Sequence, residues 1–363
     1  MSNKKTNRTR TTQGYLLRLS VACFIGFFFL LLLQTADASK TGMVSDNIVS
    51  PSGDAIITVT TTADDITPND GSVSLREAIT ASNAGNDLGD PDITAQNPGT
   101  FGPLNTINFN IPGVGVKTIN VGSSASAAGI PLPSIVKPVE INGYTQGVAT
   151  ANTLANADNA TILVELNGTS AGTAVNGLTL GAGCDGSTIK GLAINRFQAD
   201  NSLNGGVGIL VQSNSNTIIG NFIGVNPAGT AQMPNGGDGV RILNASNNQI
   251  GTTNPANRNI VSGNILDGIH IVGSLTTPAT GNLIQGNFVG VAANGVIRVG
   301  VRTAPIPNAG ALNTDAGNFL FGIEISGGNN NTVGGTTAGA RNVVGFNGVG
   351  IEVDNGGQGN IIQ

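Results

Sequence analysis

The sequence predicts an all-β fold, a right-handed parallel β-helix (a solenoid of stacked coils) with a short N-terminal capping helix. Three observations predict it: a recurring Gly-hydrophobic-x-hydrophobic unit, an Asn-hydrophobic-hydrophobic segment after each unit, and one strongly capped helical stretch ahead of the repeats. The units begin at Gly208, Gly239, Gly268, Gly322 and Gly350. Strands of one type that recur at coil spacing stack in parallel, whereas hairpins need short turns and antiparallel register.

The spacing of the units predicts one coil per unit and one inserted loop. Successive opening glycines are 31, 29, 54 and 28 residues apart, and three short strands with their turns fill the shorter spacings. The stretch from Asn221 to Gly239 has 18 residues, and the matching stretch from Asn287 to Gly322 has 35. Because the excess of 17 residues is shorter than a coil, we interpret it as an inserted loop at 292–319. Loops on rigid scaffolds carry recognition, so we expect specificity there.

Residues 74–83 are predicted to form the capping helix. Ser74 and Glu77 form a capping box, which satisfies backbone amides at the start of a helix. The residues on its apolar face are Leu75, Ala78, Ile79 and Ser82. An amphipathic helix before the first coil would cover the open end of a solenoid. A helix belonging to a separate small domain is the alternative.

The chain is expected to have four segments: a signal peptide 1–38, a linker 39–55, an N-terminal cap segment 56–115 and the β-helix 116–363. A basic N-terminus, an apolar run and an Ala-x-Ala site are typical of an export signal, here cut after Ala38. An uncleaved membrane anchor is the alternative. We therefore expect a secreted or cell-surface protein. The last residues lie in mid-coil without a polar cap, so we expect the β-helix to continue beyond residue 363.

Composition excludes several classes of protein. Of 363 residues, 54 are Gly and only 10% are charged, which excludes a coiled coil, while 39% hydrophobic residues argue against wholesale disorder. The net charge of −5, with few basic residues after residue 40, gives no expectation of nucleic-acid binding. Cleavage after Ala38 would leave Cys184 as the single cysteine, so no intrachain disulfide is expected.

The stretch "VSLREAITASNA", preceded by "ITVTTTADDITPNDG", resembles the N-terminal motif of the CSLREA-domain proteins, which are large bacterial surface or secreted chains. Val73 replaces the first Cys of that motif, so no role for a thiol carries over. The segments "VEINGYTQG", "GLAINRF" and "RNIVSGN" are similar to the pectin-lyase-like β-helix repeats of the family. The resemblance covers residues 56–363 and implies the fold, but it implies little about activity.

The chemically richest surface predicted is a row of outward side chains on one sheet of the β-helix. The row reads Leu210, Arg241, His270, Glu324 and Glu352. Asp238 and Asp267 precede it on neighbouring coils, where strand spacing places their carboxylates roughly 5 Å apart. This separation resembles that of a retaining glycosidase pair. We therefore predict that Asp238, Arg241, Asp267 and His270 form a weak carbohydrate-contacting patch.

A plainer interpretation is available for each of these residues. Asp before Gly is a common turn residue, and a lone surface His usually has no special role. The sequence shows no catalytic constellation of the polygalacturonase kind, so we expect no catalytic residues, cofactor or metal. Calcium binding by Asp64, Asp65 and Asp70 is a weaker alternative to a solvated acidic loop. We expect a structural, adhesive or passive carbohydrate-binding role, with polysaccharide or surface glycan as partner. The alternative is a polysaccharide lyase or glycoside hydrolase.

Overall fold

The computed structural model describes residues 54–124, 129–274, 276–299 and 317–363. The predicted signal peptide and anchor, and all but the last two residues of the predicted linker, lie outside these ranges. Most of the predicted loop at 292–319 also lies outside them. Within the described ranges, no helix has the length and apolar character needed to cross a membrane.

Three sheets, in which every strand pair is parallel, make up the described chain. The first sheet contains β1 (Ile56–Val59), β2 (Asn105–Phe109), β4 (Val139–Asn142), β7 (Thr188–Lys190), β10 (Thr217–Ile219), β13 (Gln249–Ile250), β16 (Leu283–Ile284), β19 (Thr332–Val333) and β22 (Ile361–Ile362). The second contains β3 (Lys117–Asn120), β5 (Val164–Asn167), β8 (Leu192–Asn195), β11 (Phe222–Ile223), β14 (Ile260–Val261), β17 (Phe288–Val289) and β20 (Val343–Val344). The third contains β6 (Leu178–Leu180), β9 (Ile209–Val211), β12 (Val240–Leu243), β15 (Ile269–Val272), β18 (Phe321–Ser326) and β21 (Val349–Asp354).

From β7 onward the chain passes through the first, second and third sheets in turn. Each strand therefore pairs with the strand three positions later in the sequence, and none of these pairs is a hairpin. This arrangement is consistent with an all-β parallel solenoid. The prediction that strands of the same type stack in parallel is confirmed.

The core consists of columns of inward-facing aliphatic side chains. In the first sheet one column is continuous through consecutive strand pairs. Its buried members are Ile57, Ile107, Ile141, Ile189, Ile218, Ile250, Ile284 and Val333. Burying one such side chain stabilises a fold by roughly 1.5–3 kcal/mol, so a column of this length contributes much of the stability of the stack.

Asparagine side chains form ladders at the corners between sheets. The Asn216 amide donates to Asn248, that of Asn248 to Asn282, that of Asn282 to Asn331 and that of Asn331 to Asn360, at 2.9–3.1 Å. Two further ladders run from Asn221 through Asn259 and Asn287 to Asn342, and from Asn235 through Asn264 and Asn318 to Asn347. The amides satisfy buried backbone groups that no strand can reach. The ladders therefore link successive strands at the corners.

The glycines that open the units are needed for close packing. A Cβ added to Gly239 would lie 2.7 Å from the Gly268 carbonyl oxygen of the next strand, and one added to Gly268 would lie 2.5 Å from that of Gly322. Neither glycine has a positive φ. Their role is therefore to allow close packing between strands and not to supply a left-handed backbone conformation.

The helix predicted at residues 74–83 is α1 (Leu75–Ala84), which packs against β1 and β2. The Ser74 hydroxyl accepts from the Glu77 amide at 3.1 Å, and the Glu77 carboxylate accepts from the Ser74 amide at 2.8 Å, so the capping box is present. The apolar face is buried as predicted. A shorter helix, α2 (Pro91–Ala95), and three single-turn 3-10 helices (Gly143–Thr145, Pro255–Asn257 and Ala338–Ala340) were not predicted.

Candidate functional site

The outward row on the third sheet lies in the register that the repeat predicts. Arg241 is the strand neighbour of Leu210 and of His270, and His270 is the strand neighbour of Glu324. Glu324 in turn pairs with Glu352. The residues on either side of the first four members are buried in the core, for example those at 240 and 242, so the side chains between them point outward.

Asp238 and Asp267 lie at the start of this face, one residue before the opening glycines. The Asp238 Oδ1 atom accepts from the Asp267 amide at 3.1 Å, and the Asp267 Oδ1 atom accepts from the Phe321 amide at 3.0 Å. Each carboxylate therefore accepts a hydrogen bond from the backbone that leads into the next strand. The interpretation of these two residues as local turn residues does not include such a bond. Their side chains are 0% and 4% exposed, so these two members of the predicted patch lie beneath the surface.

His270 is the centre of the cluster. Its Nδ1 atom lies 3.2 Å from Asp238 Oδ2 and 3.2 Å from Asp267 Oδ2, and its Nε2 atom lies 3.3 Å from Glu324 Oε2. The last contact has poor hydrogen-bond geometry, and Nε2 has no hydrogen-bond partner among the described residues. Arg241 Nε donates to Asp238 Oδ2 at 2.6 Å. The structure thus brings together all four residues of the predicted patch and adds Glu324.

Burial and nearby charges shift the pKa values of these carboxyl groups in different directions. Burial, followed by the nearby negative charge of Asp238, raises the pKa of Asp267 to about 8. Burial alone would raise the pKa of Asp238, but the hydrogen bond from His270 and the charge of Arg241 hold it below its ordinary value. Burial also raises the pKa of Glu324, and the nearby Asp354, Asp238 and Glu352 add to that rise. Carboxyl groups with opposed shifts are common at functional sites, although structural ion-pair networks also produce them.

A polar groove lies beside the row, where the third-sheet strands end. It has a volume of about 400 Å³, and it is lined by Gly273, Ser274, Ser326, Gly327, Asn329, Asn355, Gly356 and Gln358. Ser326 lies two residues after Glu324 on β18, so the two side chains share the outward face. The groove therefore extends the ionisable cluster with hydroxyl and amide groups.

The acidic loop before α1 has a structural use that the sequence did not reveal. Arg76 binds both carboxylate oxygens of Asp64 at 2.8 Å and also donates to the carbonyls of Ile130 and Pro131. Asp64 additionally accepts from the Gly122 amide. Asp64 is therefore fully engaged with protein donors, which argues against the calcium alternative for this residue. The motif signal at 73–78 indicated the helix cap but not this ion pair.

No family model matches this chain, and no curated protein is significantly similar to it.

Proposed function

We propose that this chain is an exported or cell-surface right-handed parallel β-helix, closed at its N-terminal end by α1, that binds glycans passively through the outward face of its third sheet. The rotation of the chain through three parallel sheets supports the β-helix. The packing of α1 on β1 and β2 supports its role as a cap. The motif at 73–78 supports a relationship to the CSLREA-domain proteins, from which export and surface location follow as parts of the same proposal.

The observation that carries the binding proposal is the polar groove beside the charged row. Sugar hydroxyl groups both donate and accept hydrogen bonds, and serine, asparagine and glutamine side chains supply both kinds of partner. Arg241, His270 and Glu324 add ionisable groups that are 24%, 17% and 12% exposed. The groove has no aromatic side chain among its described lining residues, so it lacks a stacking platform for a sugar ring. Binding is therefore expected to be weak at a single site.

A glycan array tests this function, with the full chain compared with two double variants. Ser274→Ala with Gln358→Ala removes one hydroxyl and one amide from the groove. Asn201→Ala with Ser202→Ala removes the same groups from an exposed turn elsewhere. Two lost hydrogen bonds at about 0.5–1.5 kcal/mol each predict roughly 5- to 150-fold weaker binding for the groove variant only. The proposal is wrong if the chain retains no glycan or if both variants bind equally.

Polysaccharide cleavage is the second candidate. It is favoured by the opposed pKa shifts of Asp238 and Asp267, which resemble an acid and base pair. Their burial opposes it, because a catalytic carboxyl must come within hydrogen-bond reach of the glycosidic oxygen. Incubating the protein with pectins and glucans, with and without calcium, distinguishes the two functions. Release of shortened products would support cleavage and contradict a purely passive role.

A further inference from the structure

The buried cluster on the third sheet has the spacing of a metal site. Asp238, Asp267 and His270 each offer one ligand atom, and these three atoms lie within 4.8 Å of one another. The imidazole Nδ1 atom is 3.2 Å from a carboxylate oxygen of each aspartate. Ligand atoms about 2.0 Å from a tetrahedral zinc ion are about 3.3 Å apart, so the spacing of the two His–Asp pairs fits without rearrangement.

The cluster also contains more negative than positive groups. Asp238, Asp267 and Glu324 can each carry a negative charge, and Arg241 is the one permanently charged cation that contacts them among the described residues. A single hydrogen on His270 Nδ1 can serve only one of the two aspartates at 3.2 Å. Buried charges are normally paired or bound to metals, so this arrangement leaves room for one more positive charge.

The opposite edge of the imidazole ring supports the same conclusion. Histidine ligands commonly donate their second ring N–H to a carboxylate, which fixes the tautomer and leaves the other nitrogen free for the metal. His270 Nε2 lies 3.3 Å from Glu324 Oε2 without forming a hydrogen bond, so the Glu324 side chain must turn slightly to accept this N–H when an ion binds. Binding of an ion would displace the Nδ1 hydrogen that bonds Asp238, and with the hydrogen on Nε2 the Nδ1 lone pair would point between the two aspartates.

We propose that Asp238, Asp267 and His270 bind one divalent first-row transition ion, with Zn²⁺ the best match, and that Glu324 orients the histidine. A set of one nitrogen and two carboxylate oxygens suits zinc, whereas calcium takes six to eight oxygen ligands. Arg241 lies 2.6 Å from Asp238 Oδ2 and competes for that oxygen. Because its side chain is partly exposed, it can move into solvent when the ion binds. This site does not depend on glycan binding.

Calorimetric titration of zinc chloride into the full chain tests the proposal, using protein without a histidine tag and freed of metal by a chelator. His270 is the single histidine of the chain, so His270→Gln removes every imidazole. We expect binding of one ion per chain, with affinity lowered at least about 10-fold by His270→Gln and by Asp267→Asn. Glu324→Gln is expected to lower the affinity by roughly 10- to 100-fold.

Glu352→Gln is the matched control, because Glu352 occupies the next position of the same row outside the ligand set. It should bind zinc as the unchanged protein does. Circular dichroism of each variant separates loss of the site from loss of the fold, and His270→Gln removes no backbone hydrogen bond of the described structure. Absence of stoichiometric zinc binding, or equal affinity in His270→Gln and Glu352→Gln, would overturn the proposal. Neither result bears on the glycan array, so the two proposals fail separately.

Discussion

Removing the guanidinium of Arg76 is expected to destabilise the N-terminal end of the stack strongly. The side chains of Arg76 and Asp64 are 5% and 0% exposed, and their contact is a two-point ion pair at 2.8 Å. In Arg76→Ala, Asp64 would remain buried, with the Gly122 amide as a remaining donor. The carbonyls of residues 130 and 131 would also each lose a donor. Breaking a buried pair from one side costs about 3–5 kcal/mol, and we expect that loss in the free energy of unfolding.

Urea denaturation followed by far-ultraviolet circular dichroism measures this loss. Lys190→Ala is the control, because Lys190 pairs with Glu140 at the same 2.8 Å but both side chains are at least one quarter exposed. An exposed pair contributes about 0–1 kcal/mol, so the control should change stability little. Arg76→Ala should also cost less in an Asp64→Asn background, because no buried charge is then left unpaired. A loss below about 1 kcal/mol, or one equal to the control, would refute the argument.

Two further predictions concern the cap and the ladders. Burial first, and the charges of Asp65 and Asp90 second, raise the pKa of Glu77 to about 7 against the opposing hydrogen bonds from Ser74. The folded chain therefore keeps a proton that the unfolded chain releases near the ordinary glutamate pKa of 4.5, so this contribution to stability is lost as the pH rises from 4.5 to about 7. Calorimetric melting at pH 5 and pH 8 should show a smaller fall in Tm for Glu77→Gln than for the unchanged chain; an equal fall would contradict this. Asn282→Ala breaks the middle of one ladder and leaves the buried backbone amide of Asn248 unpaired. Urea unfolding should therefore show a free energy of unfolding that is lower by about 1–3 kcal/mol. An unchanged value would contradict a role for the ladder.

Much of the fold could be predicted because its determinants are local and repeated. The inward Ile and Val positions, the parallel register and the outward row all follow from a strand period of two combined with the spacing of the units. The capping box at Ser74 could be predicted for the same reason, since its partners lie within one helical turn. The prediction was correct for the strand register and the capping box, where the interacting groups are close in sequence or in matching places of the repeat.

The unpredicted features depend on contacts between distant parts of the chain. Arg76 reaches carbonyl groups 54 and 55 residues away, and no periodicity indicates such a contact. The opening glycines could be recognised as a repeat, but their close approach to the next strand becomes visible only in three dimensions. The burial of Asp238 and Asp267 was missed for a similar reason. Their position before glycine indicated a turn, whereas the backbone amides that they bind belong to the following coil.

The contrast between the asparagine ladders and the two aspartates shows why the third sheet is chemically different. In a ladder, each side-chain amide accepts from a backbone N–H through its oxygen and donates to the next side chain through its nitrogen. Stacked asparagines therefore satisfy one another's hydrogen-bonding groups. Asp238 and Asp267 perform the accepting half of this role but have no N–H group for the donating half. Two ionised carboxylates whose oxygens lie within 4.8 Å of each other would repel by about 3 kcal/mol or more at an effective dielectric constant of about 20. A neutral pair would hold the backbone without this repulsion. The cluster therefore needs Arg241, His270 and a proton or another cation to be stable.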